Sequence, residues 1–326
     1  MEFLKNIILK KTILGNLTLL NNASTFHIAF GIDNNFTIGT GVLIYSILQQ
    51  TKHNIAFHIF TDNISDEDIF YFKNLCTKYN HISINIYYLN PKCFNQLPTF
   101  YIWSKAIYYR FLISKYLSSK INIVLYLDSD ILCLNNFDSL FQINLKKNIA
   151  CVIPDNSYML NYAKINFNLQ TPYYFNSGFM LINLKNWEEN HISEQAIELL
   201  TKKNKFKYFD QDVLNILLAN KTISLEKKYN TIYRLADMRN PIDKSTIFLH
   251  YTGSTKPWQA WGQYHDLTSL WLKCKNNSPW KNFPIVQPKT YKQAKFMAKN
   301  LKKNNKIFLS FKWYLKYSLL KIKTKI

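Results

Sequence analysis

The length, composition and charge of the chain allow a sizeable folded core and exclude several classes of protein. The chain has 326 residues, 48% of them hydrophobic, which suits one large α/β domain with an appendage. Its seven glycines are too few for collagen-like repeats, and no uncharged apolar run approaches the ~20 residues that span a bilayer. The formal net charge is +21, and thirteen lysines with no acidic residue lie between positions 281 and 326, so the basic character is concentrated in a C-terminal tail.

The N-terminal extension, residues 1–24, and the cysteines favour a cytosolic protein. The apolar runs of the extension are short and interrupted by lysines and asparagines, and no small-residue cleavage site follows them, so we do not predict a signal peptide. The five cysteines form no Cys-x-x-Cys pair and lie mostly in apolar runs, which favours reduced, packed thiols.

Apolar runs and helical patterns alternate from residue 26 onward. Strands are predicted at Phe26 to Gly31, Ile55 to Phe60 and Ile82 to Tyr88, because each run is short, apolar and rich in β-branched and aromatic residues. A helix is predicted at Thr40 to Gln50, and Ser65 is placed to cap a second helix. The alternation predicts a parallel sheet with helices on its faces, which is an α/β fold.

The remaining chain continues the pattern up to the basic tail. Predicted helices cover Ala106 to Leu117, a segment from Asn183, and Asp210 to Leu218; predicted strands cover Ile123 to Leu127, Ala150 to Ile153, Phe179 to Ile182, and Ile247 to Tyr251. Ile123 to Leu127 is the most strand-like run, and it stops at two acidic residues.

Asp128 and Asp130 follow directly after that strand and are separated by one residue. Ligands bind at the carboxyl ends of strands in open parallel sheets, and two carboxylates there can share Mn²⁺ or Mg²⁺. Such a cation would stabilise the charge that builds on a departing diphosphate. The alternative is that the aspartates only shape a turn, since an isolated Asp-x-Asp is common.

The segment after the last predicted strand strengthens the metal hypothesis. His250 can complete the site with an imidazole nitrogen, although a lone histidine at a strand end is usually only a satisfied polar residue. Gly253 would let the backbone approach a phosphate, and Lys256 would supply a positive charge.

At this point the sequence resembles glycosyltransferase family 8. Six segments match in the family's order: Phe26 to Asn35, Ala106 to Leu112, Val124 to Asp130, Tyr174 to Leu184, Phe209 to Asn215, and His250 to Trp258. The resemblance implies a nucleotide-diphospho-sugar transferase (GT-A type) fold with a mostly parallel central sheet, a UDP-sugar donor, Mn²⁺ or Mg²⁺, and retention of anomeric configuration. The catalytic domain would span residues 25–280.

The resemblance also implies roles for individual residues. The metal ligands would be Asp128, Asp130 and His250; donor contacts would come from Asp33, Asn35, Arg110, Asn176, Gly253 and Lys256; and Asp155, Asp210 and Gln211 would serve catalysis at the sugar. Gln211 is a poor nucleophile, so we expect same-face attack, without a covalent intermediate, supported by metal electrostatics and alignment.

Plainer readings of several residues stay open. Arg110 can simply pair with an exposed carboxylate, Asn176 can shape a turn, and Asp210 can cap its helix. Trp258 and Trp261 fit either the core or an acceptor-sugar platform.

The tail and the acceptor are predicted together. Residues 289–326 mix lysines with aromatic and aliphatic residues, which is typical of a helical segment for an anionic membrane surface. A helix packed on the catalytic domain and a nucleic-acid-binding segment are the alternatives. The sequence is most similar to the lipopolysaccharide core hexosyltransferase branch of the family, including Gln96 to Pro98 and Trp103 to Tyr108. We therefore expect a lipid-linked oligosaccharide acceptor and a peripheral protein on the inner face of the bacterial inner membrane.

Two rival functions are also compatible with the sequence. One is a family member that glycosylates a different acceptor, such as a protein or itself. The other is a non-catalytic, basic membrane- or nucleic-acid-binding protein on the same fold, against which the intact set of Asp128, Asp130, His250 and Lys256 argues.

Overall fold

The computed structural model describes residues 7–99, 104–202, 206–236 and 240–323. Outside these ranges lie residues 1–6 of the predicted extension, Trp103 of the lipopolysaccharide-branch similarity, and the last three residues of the tail. The strands are β1 (Ile8–Gly15), β2 (Phe26–Ile32), β3 (Ile55–Thr61), β4 (Ile82–Leu89), β5 (Ile123–Leu127), β6 (Ile131–Cys133), β7 (Ala150–Pro154), β8 (Phe175–Asn183), β9 (Thr222–Ser224), β10 (Thr231–Tyr233) and β11 (Phe248–Tyr251). The helices are α1 (Thr37–Leu48), α2 (Asp66–Lys78), α3 (Ile113–Leu117), α4 (Ser157–Phe167), α5 (Leu184–Glu189), α6 (Ile192–Lys202), α7 (Phe209–Leu217), α8 (Thr268–Asn277), α9 (Tyr291–Lys303) and α10 (Ile307–Lys323).

An eight-stranded sheet organises the molecule, in the order β1-β4-β3-β2-β5-β8-β7-β9. The central strands β4, β3, β2 and β5 run parallel, while β8 is antiparallel to both β5 and β7. A three-stranded sheet of β10, β11 and β6 lies beside it. The predicted α/β fold with a mostly parallel central sheet is confirmed, and every predicted strand is present.

The N-terminal extension contributes an edge strand that the sequence analysis did not predict. In β1, Lys11 lies opposite Tyr87 and Gly15 opposite Ser83, in an antiparallel pairing with β4. The adjacent Lys10 and Lys11 are both exposed, which fits an edge position for β1.

The helix predicted over Ala106 to Leu117 is in fact two elements. A 3-10 helix covers Lys105–Leu112, with Ser104 accepting from the backbone N–H of Ala106, and α3 follows it. Residues three apart eclipse each other in a 3-10 helix, so the guanidinium Nε of Arg110 reaches the carbonyl of Ile107 at 2.9 Å. This tighter winding fixes the base of the Arg110 side chain.

The two halves of the tail differ in how they pack. α9 lies on the main body, where Met297 and Leu301 cluster with Trp261. α10 packs against α9, with the hydroxyl of Ser310 donating to the carbonyl of Ala298 at 2.8 Å. Among the described residues, no helix combines the length and apolar character needed to cross a membrane.

Candidate active site

The two aspartates and the histidine are brought together by two neighbouring sheets. Asp128 follows β5, and its backbone N–H donates to the carbonyl of Gly178 on β8 at 2.8 Å. Asp130 precedes β6, which pairs antiparallel with β11 so that His250 lies opposite Ile131. The N–H of Tyr251 donates to the carbonyl of Asp130 at 2.8 Å, which holds the histidine strand against the aspartate turn.

Asp128, Asp130 and His250 form a group with the chemistry of a divalent-metal site. One ligand atom from each lies within 4.8 Å of the others. The Nε2 atom of His250 is 3.0 Å from Asp130 Oδ1 and 3.9 Å from Asp128 Oδ2. Two carboxylates and an imidazole suit Mn²⁺ and related divalent cations. The predicted assembly of these three side chains is therefore present in the structure.

Gly178 provides the space in which this group is packed. A Cβ atom at this position would lie 2.5 Å from Cε1 of His250 and 2.6 Å from Oδ2 of Asp128. Any side chain there would displace one of the two, so the absence of a side chain at Gly178 is part of the site.

Lys256 places a positive charge beside Asp130. The Nζ atom of Lys256 pairs with Oδ2 of Asp130 and donates to the carbonyl of Tyr251 at 2.9 Å. Burial alone would raise the pKa of Asp130, but Lys256 and His250 outweigh burial and hold that pKa well below its usual range. Asp130 is therefore an anion in the folded protein.

Arg110 lies beneath the site with 4% of its surface exposed. Its Nη2 donates to Asp128 Oδ1 at 2.9 Å, its Nη1 is 3.0 Å from Asp210 Oδ2, and its guanidinium lies 4.4 Å from the centre of the Tyr126 ring. Its partners are carboxylates of the site itself, so the reading as a residue paired with an exposed surface carboxylate is wrong. Burial raises the pKa of Asp210 to about 6 although Arg110 opposes the shift.

The sugar-site candidates Asn176, Asp210 and Gln211 meet where β8 faces the start of α7. Gln211 Oε1 accepts from Asn176 Nδ2 at 3.0 Å and from the backbone N–H of Ser177 at 3.1 Å, and the hydroxyl of Ser177 donates to Asp210 at 3.2 Å. Asn176 therefore joins a network rather than only shaping a turn. The N-cap of α7 is Tyr208, so the reading of Asp210 as the helix cap is wrong.

The predicted nucleotide-binding residues Asp33 and Asn35 lie on a turn that leads into α1, and α1 contacts the Asp-Ser-Asp turn. Asp33 accepts from the backbone N–H of Asn35 at 2.8 Å, forming the turn that leads into α1. Thr40 of α1 then donates to the hydroxyl of Ser129 at 2.9 Å. α1 therefore links the opening segment to the Asp-Ser-Asp turn.

Gly253 and Asp155 lie on two other loops. Gly253 has φ +85°, which favours glycine, in an exposed turn just after β11. Asp155 follows β7, and its backbone N–H donates to the carbonyl of Tyr174 at 2.7 Å. Burial raises the pKa of Asp155, and His250 is close enough to oppose that shift. The donor and acceptor roles of these residues stay predictions.

Other residues of the site were missed by sequence reasoning. Tyr126 donates to Asp128 at 2.8 Å, and Asn230 contacts His250 at 3.0 Å. Tyr126 could have been found, because alternation places it two positions before Asp128. No spacing signal pointed to Asn230. Trp258 and Trp261 are 3% and 2% exposed, so they are core aromatics.

An α/β sheet with two carboxylates and an imidazole grouped at its carboxyl edge is the arrangement expected of transferases that use nucleotide-sugar donors. The family model "Glycosyl transferase family 8" matches residues 27–262, and "Glycosyl transferase family 8 C-terminal" matches residues 267–321. The chain belongs to glycosyl transferase family 8 and is a UDP-sugar-dependent glycosyltransferase.

Named relatives are similar along almost their whole length. The chain is 35% identical to lipopolysaccharide 1,3-galactosyltransferase of Salmonella typhimurium over 97% of each chain, and 37% identical to lipopolysaccharide glucosyltransferase WaaO of Escherichia coli over 91% of each. Among solved structures, the galactosyltransferase LgtC in complex with donor and acceptor sugar analogues superposes with a TM-score of 0.67 at 24% identity, covering 78% of this chain and 96% of that one. The structural similarity supports the fold.

Proposed function

We propose that this chain transfers glucose or galactose from a UDP-sugar to the core oligosaccharide of lipopolysaccharide or lipooligosaccharide, with retention of configuration. The names of the two full-length relatives support the acceptor class. The single observation that carries the chemistry is the group formed by Asp128, Asp130 and His250. Residues 25–280 would carry the reaction and residues 281–326 the attachment to the membrane.

The metal would be Mn²⁺, with Mg²⁺ as the alternative, held by the two carboxylates and by Nε2 of His250. When bound, it would supply Lewis-acid stabilisation to the negative charge of the leaving diphosphate. Lys256 adds a positive charge at the same place, and the loops with Asp33, Asn35 and Gly253 would hold the nucleotide and its phosphates.

The transfer itself would proceed by attack on the face from which the diphosphate departs. The bond from the anomeric carbon to the diphosphate oxygen breaks, the acceptor oxygen bonds to that carbon, and the acceptor's hydroxyl proton passes to the diphosphate. Gln211 supports this route, because its carbonyl oxygen is already bound by two N–H donors and an amide is a poor nucleophile. Asp210, Gln211 and Asp155 would orient the sugar and the acceptor.

The exposed face of α10 supports attachment to an anionic membrane. Large apolar side chains three or four positions apart share one face, and they are all exposed: Phe308, Phe311, Leu315, Leu319 and Ile322. Lysines at 312, 316 and 323 lie along one border of this apolar stripe. The stripe would enter the interface while the lysines contact lipid phosphates, which suits a lipid-linked acceptor on the inner leaflet.

The proposed function is tested by UDP release in the presence of a lipid-linked core acceptor. UDP-glucose and UDP-galactose are each supplied with Mn²⁺ or with EDTA to the wild-type protein and to Asp130→Ala. We expect metal-dependent release with one preferred donor, and a loss of at least ~100-fold in the variant, because a metal ligand is removed.

The controls distinguish a protein that uses a different acceptor from one in which the proposed metal site is incorrect. Transfer to the acceptor is followed by mass spectrometry, and labelling of the protein itself would indicate self-glycosylation instead. Release that is unchanged by EDTA and by Asp130→Ala would refute the metal site. If neither donor releases UDP and calorimetry detects no UDP binding, the proposal that this chain transfers a sugar from a UDP-sugar is refuted.

A further inference from the structure

Asn230 lies between the metal group and the sugar site. It follows a 3-10 turn at Lys227–Tyr229, immediately precedes β10, and is 2% exposed. Its Oδ1 is 3.0 Å from Nδ1 of His250, and its Nδ2 donates to Oδ1 of Asn176 at 3.0 Å. One buried amide therefore contacts both halves of the site.

Two backbone N–H groups determine how the amides of Asn176 and Gln211 are oriented, and so which atoms donate and which accept around Asn230. A backbone N–H can only donate, so the N–H of Gly178, 3.1 Å from Asn176, identifies the atom it meets as the carbonyl oxygen Oδ1. The N–H of Ser177 identifies Oε1 of Gln211 in the same way, at 3.1 Å. The amide orientations of Asn176 and Gln211 thus follow from the backbone.

The orientation of Asn230 follows from that of Asn176. The atom of Asn230 that faces the Asn176 carbonyl must be a donor, which is Nδ2, so Oδ1 faces the histidine. Nδ1 of His250 must then carry the proton that Oδ1 accepts. This leaves Nε2 as the atom that faces Asp128 and Asp130, as a metal ligand requires.

The network continues from Asn230 through Asn176 to Gln211. Nδ2 of Asn176 donates to Oε1 of Gln211 at 3.0 Å, and the backbone N–H of Ser177 donates to the same oxygen at 3.1 Å. A continuous series of hydrogen bonds of one polarity therefore runs from His250 through Asn230 and on to Gln211.

We propose that Asn230 is a positioning residue that holds the metal-binding nitrogen of His250 towards the aspartates and, by donating to Asn176, holds the amide that in turn donates to Gln211. This inference rests on the proposed function, because it assigns Asn230 to that reaction. In this proposal Asn230 contacts neither the sugar nor the phosphates of the donor. It acts through two other side chains, His250 and Asn176, and the contact to Asn176 can be removed while the contact to His250 is kept.

Two variants and one matched control test the inference. Asn230→Leu removes both contacts with little change in volume, while Asn230→Asp keeps an oxygen that accepts from His250 but cannot donate to Asn176. Asn85→Leu is the control, because Asn85 is also fully buried and hydrogen-bonded, with its amide 3.3 Å from the carbonyl of Phe57 on β3. For each protein we would measure Mn²⁺ affinity by electron paramagnetic resonance in the presence of UDP, together with kcat, donor KM and Tm.

The two contacts predict different outcomes. Asn230→Leu should weaken Mn²⁺ binding by about 10–100-fold, as loss of a hydrogen-bond partner to a ligating histidine does. Asn230→Asp should keep Mn²⁺ affinity within about threefold and donor KM nearly unchanged, but lower kcat by at least about tenfold, because the new carboxylate repels the Asn176 carbonyl and displaces the amide that donates to Gln211. Asn85→Leu should lower Tm while leaving Mn²⁺ affinity and kcat near wild type.

The inference is overturned if both Asn230 variants match wild type in Mn²⁺ affinity and kcat. It is also overturned if they lose only Tm, as the Asn85 control does. If Asn230→Leu does not fold, the kcat of Asn230→Asp tests the inference alone, and a kcat equal to that of the wild type overturns it. If the wild-type protein binds Mn²⁺ with UDP but transfers no sugar to the lipid-linked acceptor, the proposed function fails while the contact to His250 remains testable by metal affinity.

Discussion

The glycine at position 178 shows how little room the metal group leaves. Gly178→Ala would place a methyl group 2.5 Å from the His250 ring and 2.6 Å from the Asp128 carboxylate. Because both are metal ligands in our proposal, we expect Mn²⁺ affinity in the presence of UDP to fall by at least about tenfold. Titration of the purified variant with Mn²⁺ and UDP measures this directly.

A second tight glycine provides the control. Gly41 on α1 is packed just as closely, since a Cβ atom there would lie 2.4 Å from the Trp280 ring. Gly41→Ala should therefore cost about 1–3 kcal/mol of unfolding free energy through overpacking, with normal Mn²⁺ affinity in the folded protein. Equal Mn²⁺ affinity in the Gly178 and Gly41 variants would contradict the role given to Gly178.

Sequence patterns were sufficient to predict the candidate metal ligands, but they did not reveal all the neighbouring residues that hold those ligands in place. Asp128 and Asp130 sit next to a strongly apolar strand, so their position at a sheet edge follows from local pattern alone. Asn230 contacts His250 across a separation of 20 positions. Such a contact is created by the pairing of β10 with β11, which no local pattern encodes.

Elements in the first half of the sheet share a buried ladder of polar rings. His27 on β2, His58 on β3 and Tyr87 on β4 lie side by side, with Nδ1 of His27 3.1 Å from Nε2 of His58 and Nδ1 of His58 3.1 Å from the tyrosine hydroxyl. Burial lowers the pKa of His27 to about 4 and holds the pKa of His58 well below its usual range. Both rings are therefore neutral in the folded protein near pH 7.

This ladder predicts a stability that depends on pH. The unfolded chain binds a proton at His27 below about pH 6.5 while the folded chain does not until about pH 4, so the contribution of His27 is fully present above pH 6.5 and is lost as pH falls to 4. Its full size is about 3 kcal/mol. In His27→Gln the unfolding free energy should fall less steeply over this range, as measured by urea denaturation at several pH values.

Tyr87→Phe separates titration from packing in the same ladder. It removes the hydroxyl next to His58 but keeps both imidazoles, so the steep fall in stability between pH 6.5 and 4 should remain. Equal slopes in wild type and His27→Gln would show that His27 does not contribute to the acid sensitivity.

At the level of elements, strands were predicted more accurately than their directions. The run at Phe179 to Ile182 was recognised as a strand, but its antiparallel pairing with β5 and β7 depends on contacts distant in sequence. The segment Lys105–Leu112 was assigned to an α-helix because its apolar spacing fits either helical type. β1 was missed because its lysines, which suit an edge strand, interrupt the apolar pattern.

At the level of the whole molecule, the exposed stripe on α10 predicts binding to anionic vesicles. Replacing Phe311, Leu315 and Leu319 together by Ser should remove most of the apolar area that enters the interface, and sedimentation with phosphatidylglycerol-containing vesicles should fall by at least about tenfold. Binding by the wild-type protein should also weaken with added salt, since lysines contribute to it.

A matched variant removes three exposed apolar residues elsewhere. Phe70, Tyr158 and Ile165 are as exposed as those of the stripe but lie on α2 and α4. Their replacement by Ser should leave vesicle binding unchanged. If both triple variants sediment like wild type, α10 is not the membrane contact.

The pairing of β6 with β11 has a consequence for synthesis of the protein. Lys256 lies 126 positions after Asp130, and His250 only slightly nearer, so the aspartates leave the ribosome long before the two residues that complete their group. At roughly 5–20 residues per second, this delay is on the order of ten seconds. A chain released early would carry the two aspartates but neither His250 nor Lys256, so it could not assemble the metal group. If the proposed metal group is required, sugar transfer needs a chain whose translation has passed β11.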